Sequence, residues 1–362
     1  MKDLKRTLAS AAVGLVMLSA CSNGSVSAED VKGDLVVGNE VIADVNLYKQ
    51  ALGQGTLQFY TGGSDQSEQL VAEKFTEDTG IPVELIRLAP AKLTERILSE
   101  HSANKLAADV IRISGADLLQ SLVDNGVFQA HNVPDSFALD DTARVKDGLY
   151  YRSFDRIYTF AYNNQIVSAD QAPSSWAALI DPKWRGQLGI VQVSAGGAMA
   201  ALTRFHFEKL GEKYLREFAG ENPRTFDTVS SLVDALARGE IKVGTVPIAT
   251  AYGAISEGAP LGVGIPSDGM AAFPYYVGIS SSTSRLAAAQ VFENWLLSAR
   301  GQELAGTIGD YPVRSDVGAP KVEGLDLPPA DSPLIYRHSP EESLRHLESD
   351  ATLWKEIFGY VG

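Results

Sequence analysis

The sequence predicts an α/β fold: parallel strands covered by helices on both faces, divided into two lobes. Three observations predict it. Between residues 55 and 126, strand-like runs alternate three times with helical patterns, the order that builds a parallel sheet. Two β-rich stretches lack a helical period, Leu149–Asn163 and Ala271–Ile279. They read as strands that leave the first unit and return to it. A length of 362 residues suits two domains of ordinary size.

The opening unit is Gly55–Gly80. Thr56–Tyr60 is a short β-favouring run, and Thr61-Gly62-Gly63 lets the backbone turn without a Cβ penalty. Asp65-Gln66-Ser67-Glu68 reads as an N-cap with a carboxylate three residues on. Leu70, Val71 and Phe75 follow at helical spacing, and Gly80 with Pro82 ends the helix. Ile81–Leu88 is the next strand, with a helix marked by Leu93, Ile97 and Leu98. Ala108–Ile113 is a third strand, running through Ser114-Gly115 into a helix that Gly126 ends. Val45, Leu47, Tyr48 and Leu52 suggest a short helix before this series.

Beyond the first crossing, Asp181–Gly186 is turn-rich and Leu188–Val193 a strand. It enters Ser194-Ala195-Gly196-Gly197 and a helix with Met199, Leu202, Phe205 and Leu210. Leu232, Val233 and Leu236 mark another helix. Ile241–Val246 is a strand, Ile248–Glu257 a short helix and Leu261–Ile265 a strand ending in the turn Pro266–Gly269. After the second crossing come an amphipathic helix over Leu286–Leu297, a proline-rich surface loop over Ala319–Pro333 and a last helix within Ser339–Phe358.

The amino terminus reads as a leader. Lys2, Lys5 and Arg6 precede an apolar run, Thr7–Ala20, too short to span a bilayer. Leu18-Ser19-Ala20-Cys21 resembles a bacterial lipobox, which implies cleavage before Cys21, lipidation of its sulfur and export to the periplasm or cell exterior. Cys21 is the only cysteine, so no internal disulfide is expected. Ser22–Lys32 reads as a flexible tether. Removing residues 1–20, with Lys2, Lys5, Arg6 and Asp3, takes the net charge from −14 to −16. No basic patch is visible, which excludes nucleic acid as an expected partner.

Enzyme signatures are absent: no Gly-x-Ser-x-Gly elbow, no Walker loop, no Gly-x-Gly-x-x-Gly. The five histidines (His101, His131, His206, His338, His346) are dispersed and show no metal-ligand spacing. His338 and His346, which flank Glu341 and Glu342, read as part of a solvated charged helix. Three loops remain that offer helix-start amides and a hydroxyl: Tyr60–Ser64, Ser114-Gly115 and Ser194–Gly197. Such starts attract anionic groups, although serine and glycine also cap helices everywhere. Three of them, split between two lobes, point to a shared cleft.

At this point a family resemblance is evident. Leu57–Tyr60, Phe75–Val83 (FTEDTGIPV), Ala108-Asp109-Val110, Tyr162-Asn163, Asp181–Gly186 (DPKWRG), Arg238–Ile241 (RGEI) and Asp310–Val317 (DYPVRSDV) stand in one order. In this the chain resembles the solute-binding proteins of bacterial ABC importers, specifically the ferric-ion-type family. The resemblance covers residues 45–320. It implies a type II periplasmic-binding fold, in which two lobes joined by two hinge strands close over a ligand in a central cleft. The organisation expected is a signal peptide at 1–20, a lipidated tether at 21–44, a first lobe of 45–157 with 274–320, a second lobe of 158–273 and a carboxy-terminal extension of 321–362.

Iron-binding members hold Fe(III) with an adjacent tyrosine pair. Here Ala249 and Thr250 occupy that place, and the substitute pair Tyr275-Tyr276 lies on an expected hinge strand, where neighbours face opposite ways. The resemblance therefore implies a small anionic organic solute, a phosphonate, sugar phosphate or carboxylate. The expected ligand set is Tyr60, Thr61, Gly62, Gly63, Ser64, Ser114, Gly115, Arg156, Ser194, Ala195, Gly196, Gly197, Thr250, Tyr252, Asp268 and Tyr275. Arg156 would pair with an acidic group in the cleft, or else form a surface salt bridge. Asp268 would instead receive an amine, were the ligand zwitterionic or cationic. The expectation is a lipid-anchored, monomeric, cofactor-free receptor that serves a membrane permease. A ferric-ion receptor, an enzyme on this fold and a sensor are the alternatives.

Overall fold

The computed structural model describes residues 28–29, 31–193 and 197–359. The expected leader, Cys21 and Ser194-Ala195-Gly196 lie outside the described residues. The first lobe opens with β1 (Leu35–Val37), β2 (Glu40–Ala43) and α1 (Val45–Gly53). β3 (Leu57–Thr61), α2 (Asp65–Thr79), β4 (Val83–Arg87), α3 (Pro90–Ser102), β5 (Val110–Ser114) and α4 (Ala116–Asp124) follow, then β6 (Phe128–Gln129) and β7 (Arg144–Val145). β8 (Tyr150–Asn163) carries the chain into the second lobe. That lobe holds β9 (Leu188–Val191), α5 (Gly197–Gly220), β10 (Arg224–Phe226), α6 (Val229–Ala237), β11 (Val243–Pro247), α7 (Ile248–Ser256) and β12 (Leu261–Val263). β13 (Met270–Ser280) returns to α8 (Leu286–Leu297) and α9 (Ala299–Thr307), and β14 (Ile335–Tyr336) and α10 (Pro340–Phe358) close the chain.

One sheet runs through both lobes, in the order β10-β9-β11-β8-β13-β5-β3-β4. The outer strands are parallel neighbours within each lobe, β4-β3-β5 in one and β10-β9-β11 in the other. β8 and β13 lie antiparallel between them, from Ala271 opposite Tyr158 to Val277 opposite Tyr151, with a bulge between Tyr275 and Tyr276. β8 pairs with β11 from Tyr158 onward, and β13 pairs with β5 from Tyr275 onward. Each long strand therefore belongs to one lobe at one end and to the other lobe at its far end.

Each lobe has its own core. Phe160, Trp176, Phe205, Leu232 and Leu236 centre the second. The first has a core on each face of its sheet: Phe59, Phe75, Phe292 and Trp295 on one, Tyr60, Leu93, Ile111 and Leu122 on the other. The period of two along β3 puts Phe59 and Tyr60 into different cores, which is why two consecutive large aromatic residues are both buried there. Gly80 ends α2 at φ 72°, a conformation that favours glycine.

Three expectations need correction. α8 is not amphipathic: only Leu286 and Gln290 escape full burial, because the helix sits between α1 and the sheet. Burial holds the Glu293 carboxyl on it well above the usual carboxylate range. The opening helix α2 is capped at Ser64, and Asp65 is its first helical residue. Part of the proline-rich stretch is no surface loop, since Val322 and Leu327 pack on Ile157, Ile248 and Met270. β10, three residues long, gave no periodic signal.

Candidate functional site

β3 and β5 are parallel neighbours, so their carboxyl ends deliver Thr61–Ser64 and Ser114-Gly115 side by side. The Gly62 N–H donates to the Arg112 carbonyl at 2.9 Å and ties the two loops together. The Gly63 N–H donates to Thr61 Oγ1 at 3.0 Å. A Cβ on Gly63 would lie 2.0 Å from the Glu68 carboxylate, so only glycine fits there. Glu68 does not complete a capping box. Its carboxylate turns inward beneath the loop and takes Arg112 Nη1 at 2.9 Å, with both side chains buried. The guanidinium lies against the Phe59 and Phe154 rings. Ser64 Oγ donates to Ser67 Oγ at 2.6 Å instead of capping the backbone. Gly115 holds φ 95° as the N-cap of α4, a conformation that L side chains rarely adopt.

The second lobe repeats the device. β9 leads towards α5, which opens at Gly197, and β11 ends at Pro247, the N-cap of α7. Ala249 and half-buried Thr250 lie in the first turn of α7. Ligands of α/β sheets bind beyond such carboxyl ends, and here the ends of the two lobes face each other. One hollow lies between Gly115 and Ala116 of the first lobe and Ala200, Ala201 and Arg204 of the second, floored by Ala271–Pro274 and Tyr276 of β13. Another, of about 320 Å³, lies between α2 (Gln66, Ser67, Leu70) and α7 (Ala249, Tyr252, Gly253). Among the residues expected from sequence, Gly115 and Tyr252 line these hollows, and Thr61–Ser64, Ser114, Gly197 and Thr250 stand at the strand and helix ends around them. Ser194, Ala195 and Gly196 lie outside the described residues.

Four expected ligand residues are engaged elsewhere. Tyr60 is buried on the α3 side of its strand, its hydroxyl donating to Glu100 at 3.1 Å and accepting from Arg96 at 3.2 Å. Arg156 is not free for a solute. Its Nε and Nη2 take the two oxygens of buried Asp310 at 2.8 and 2.6 Å. The Asp268 carboxylate accepts from the Trp176 and Ala177 N–H groups at 2.9 and 3.0 Å, which fixes a turn. Tyr275 stacks on Phe154 with centroids 4.7 Å apart and packs against the Arg156 guanidinium. Its neighbour Tyr276 faces the other way, edge-on to Tyr150 at 5.6 Å, and burial raises its phenol well above the usual tyrosine range.

Sequence reasoning missed the wall nearest the first hollow. Tyr336, His338, Ser343, His346 and Asp350 all line it, and all lie in the carboxy-terminal extension. His338 Nε2 lies 2.9 Å from the Tyr336 hydroxyl, and Asp350 is bound through both its oxygens to Arg204 of α5. The capping box of Ser339 with Glu342 signals the helix, but nothing in the sequence says where it docks.

The chain is 26% identical over 292 residues to the Fe(3+)-binding periplasmic protein of Serratia marcescens, across 74% of this chain and 83% of that protein. Its fold matches iron-bound HitA from Pseudomonas aeruginosa with a TM-score of 0.67 and 19% identity, covering 84% of this chain and 99% of that one. It matches AfuA from Actinobacillus pleuropneumoniae, with fructose 6-phosphate bound, at a TM-score of 0.63 and 20% identity, covering 85% and 99%. The family model for bacterial extracellular solute-binding proteins matches residues 71–323. A two-lobed sheet with two long shared strands, facing helix starts and this match together place the chain in the bacterial extracellular solute-binding proteins, the receptors of ABC importers.

Proposed function

We propose that the chain is a lipid-anchored, monomeric receptor that captures a small anionic organic solute between its lobes and presents it to an ABC permease. The observation that carries this reading is that two hollows lie between the lobes, each walled by one helix from either lobe near its amino-terminal end, α4 with α5 and α2 with α7. Helix starts carry partial positive charge and aim N–H groups at whatever lies before them. A solute held by both lobes favours closure, because only the closed form makes both sets of contacts. The fructose 6-phosphate in AfuA is a solute of the class proposed. Two carboxylates near the cleft are tied up, Glu68 by Arg112 and Asp350 by Arg204. A sensor would use the same capture step with a different partner.

A second reading, ferric ion, is favoured by the names of the Serratia and Pseudomonas relatives. Against it, Ala249 and Thr250 offer no phenolate, and Tyr275 and Tyr276 diverge into separate clusters. Two arms separate the readings. Ferric loading should leave the protein colourless, whereas an iron–tyrosinate site would colour it. A thermal-shift series over fructose 6-phosphate, glycerol 3-phosphate, a phosphonate and citrate should stabilise the protein with one class only. At a hundredfold excess over Kd the gain is about 2.7 kcal/mol. Colour on iron loading, with no response to any organic anion, would overturn the proposal.

A further inference from the structure

The family match ends at residue 323, yet the segment beyond it is built into the molecule at its hinge. β14 adds in parallel to β13, with Met270 opposite Ile335 and Ala271 opposite Tyr336. Arg337 donates to the fully buried carboxylate of Asp155 on β8, which Arg152 also holds. The segment therefore touches both of the long strands that join the lobes.

Its attachment to the lobes is unequal. Along α10, Trp354 is buried in the second lobe's core. Asp350 pairs with Arg204 and Glu356 with Arg216, both on α5, and the Phe358 ring meets Phe218 at 6.0 Å. The amino-terminal turns of the same helix face the first lobe. Pro340 and Ser343 line the hollow opposite Gly115 and Ala116. Contacts between α10 and α4 set these turns beside the first lobe. The hollow beneath these turns holds about 40 Å³, space for about three water molecules.

We propose that the carboxy-terminal segment is a strap, carried by the second lobe, that walls the α4–α5 side of the solute cleft and lifts from α4 before anything larger than a few non-hydrogen atoms enters there. Packing and ion pairs fix it to α5, so it moves with the second lobe. Its first turns then meet α4 whenever the lobes close. The residues it brings to the hollow (Tyr336, His338, Ser343 and His346) make it a determinant of which solutes fit. The inference rests on the solute reading only for what passes beneath the strap; the strap's mechanical role is independent of it.

The test needs no solute. In a full-length Cys21→Ser chain, Lys92→Cys on α3 and Lys213→Cys on α5 place spin labels on exposed positions of the two lobes. Two perturbations are compared with this parent: deletion of residues 334–362, and Ser343→Trp, which wedges the strap from α4 and leaves its α5 face intact. Both should lengthen and broaden the interlobe distance distribution. Both should also speed amide exchange over Ala116–Leu119 at least roughly tenfold, as expected of a turn that has lost its cover. An unchanged distance with exchange altered only along α5 would mean that the segment merely completes the second lobe, and would overturn the proposal. Should the deletion unfold the chain, Ser343→Trp decides alone. A failed thermal-shift series leaves this outcome untouched, and the reverse holds as well.

Discussion

Replacing Asp310 by alanine is expected to cost about 3–5 kcal/mol of stability. The Arg156 guanidinium packs against both rings of the stacked pair Phe154 and Tyr275, its charge answered by the two oxygens of Asp310. Removing the carboxylate leaves an unpaired, largely buried arginine that cannot shed its proton. The pair ties β8 to the segment after α9, next to the backbone pairing of Asp155 with Tyr311, so the loss falls on the hinge. The double change Arg156→Met with Asp310→Leu removes both charges and should recover most of the loss, since apolar replacement of a buried pair is often neutral or stabilising. Urea unfolding of the two variants checks this. A cost below about 1 kcal/mol for Asp310→Ala would show that the pair is solvated.

Replacing Glu293 by glutamine is expected to stabilise the protein at neutral and higher pH and to leave it nearly unchanged near pH 4. Glu293 is buried on α8, and neither of its oxygens has a hydrogen-bond partner among the described residues. Burial holds its folded pKa above the unfolded value, so the folded chain keeps a proton that the unfolded chain gives up. The stability tied to that proton is fully present below the ordinary carboxylate pKa and is lost as pH rises towards the folded value. Glutamine keeps the shape and has no proton to lose. The gain should grow by about 1.4 kcal/mol for each pH unit above the ordinary carboxylate pKa until the folded value is reached. Urea midpoints from pH 4 to 8 test it: the two proteins should diverge as pH rises, and parallel curves would contradict the assignment.

What the sequence made legible was local. Glycine and proline punctuation marked the Thr61–Ser64 loop and the end of α2, because turn chemistry acts over a few residues. The aromatic runs at Leu149–Asn163 and Ala271–Ile279 betrayed the long strands by their lack of a helical period. What failed was pairing at a distance. Glu68 looked like a cap because its true partner, Arg112, is 44 positions away. Arg156 looked available because Asp310 is 154 positions away. The α8 pattern looked amphipathic because Glu293 and Asn294 are polar, although both are buried. The docking of α10 on α5 depends on a surface assembled from the other lobe, for which no sequence period exists.

The central claim is that helix starts from two lobes hold one solute together, and amide exchange with and without fructose 6-phosphate, or whichever organic anion gives the thermal shift, tests it most directly. The account predicts simultaneous slowing at the first turns of α2, α4 and α7 and at residues 198–201 of α5. Slowing confined to one lobe, or found away from all four turns, would contradict it.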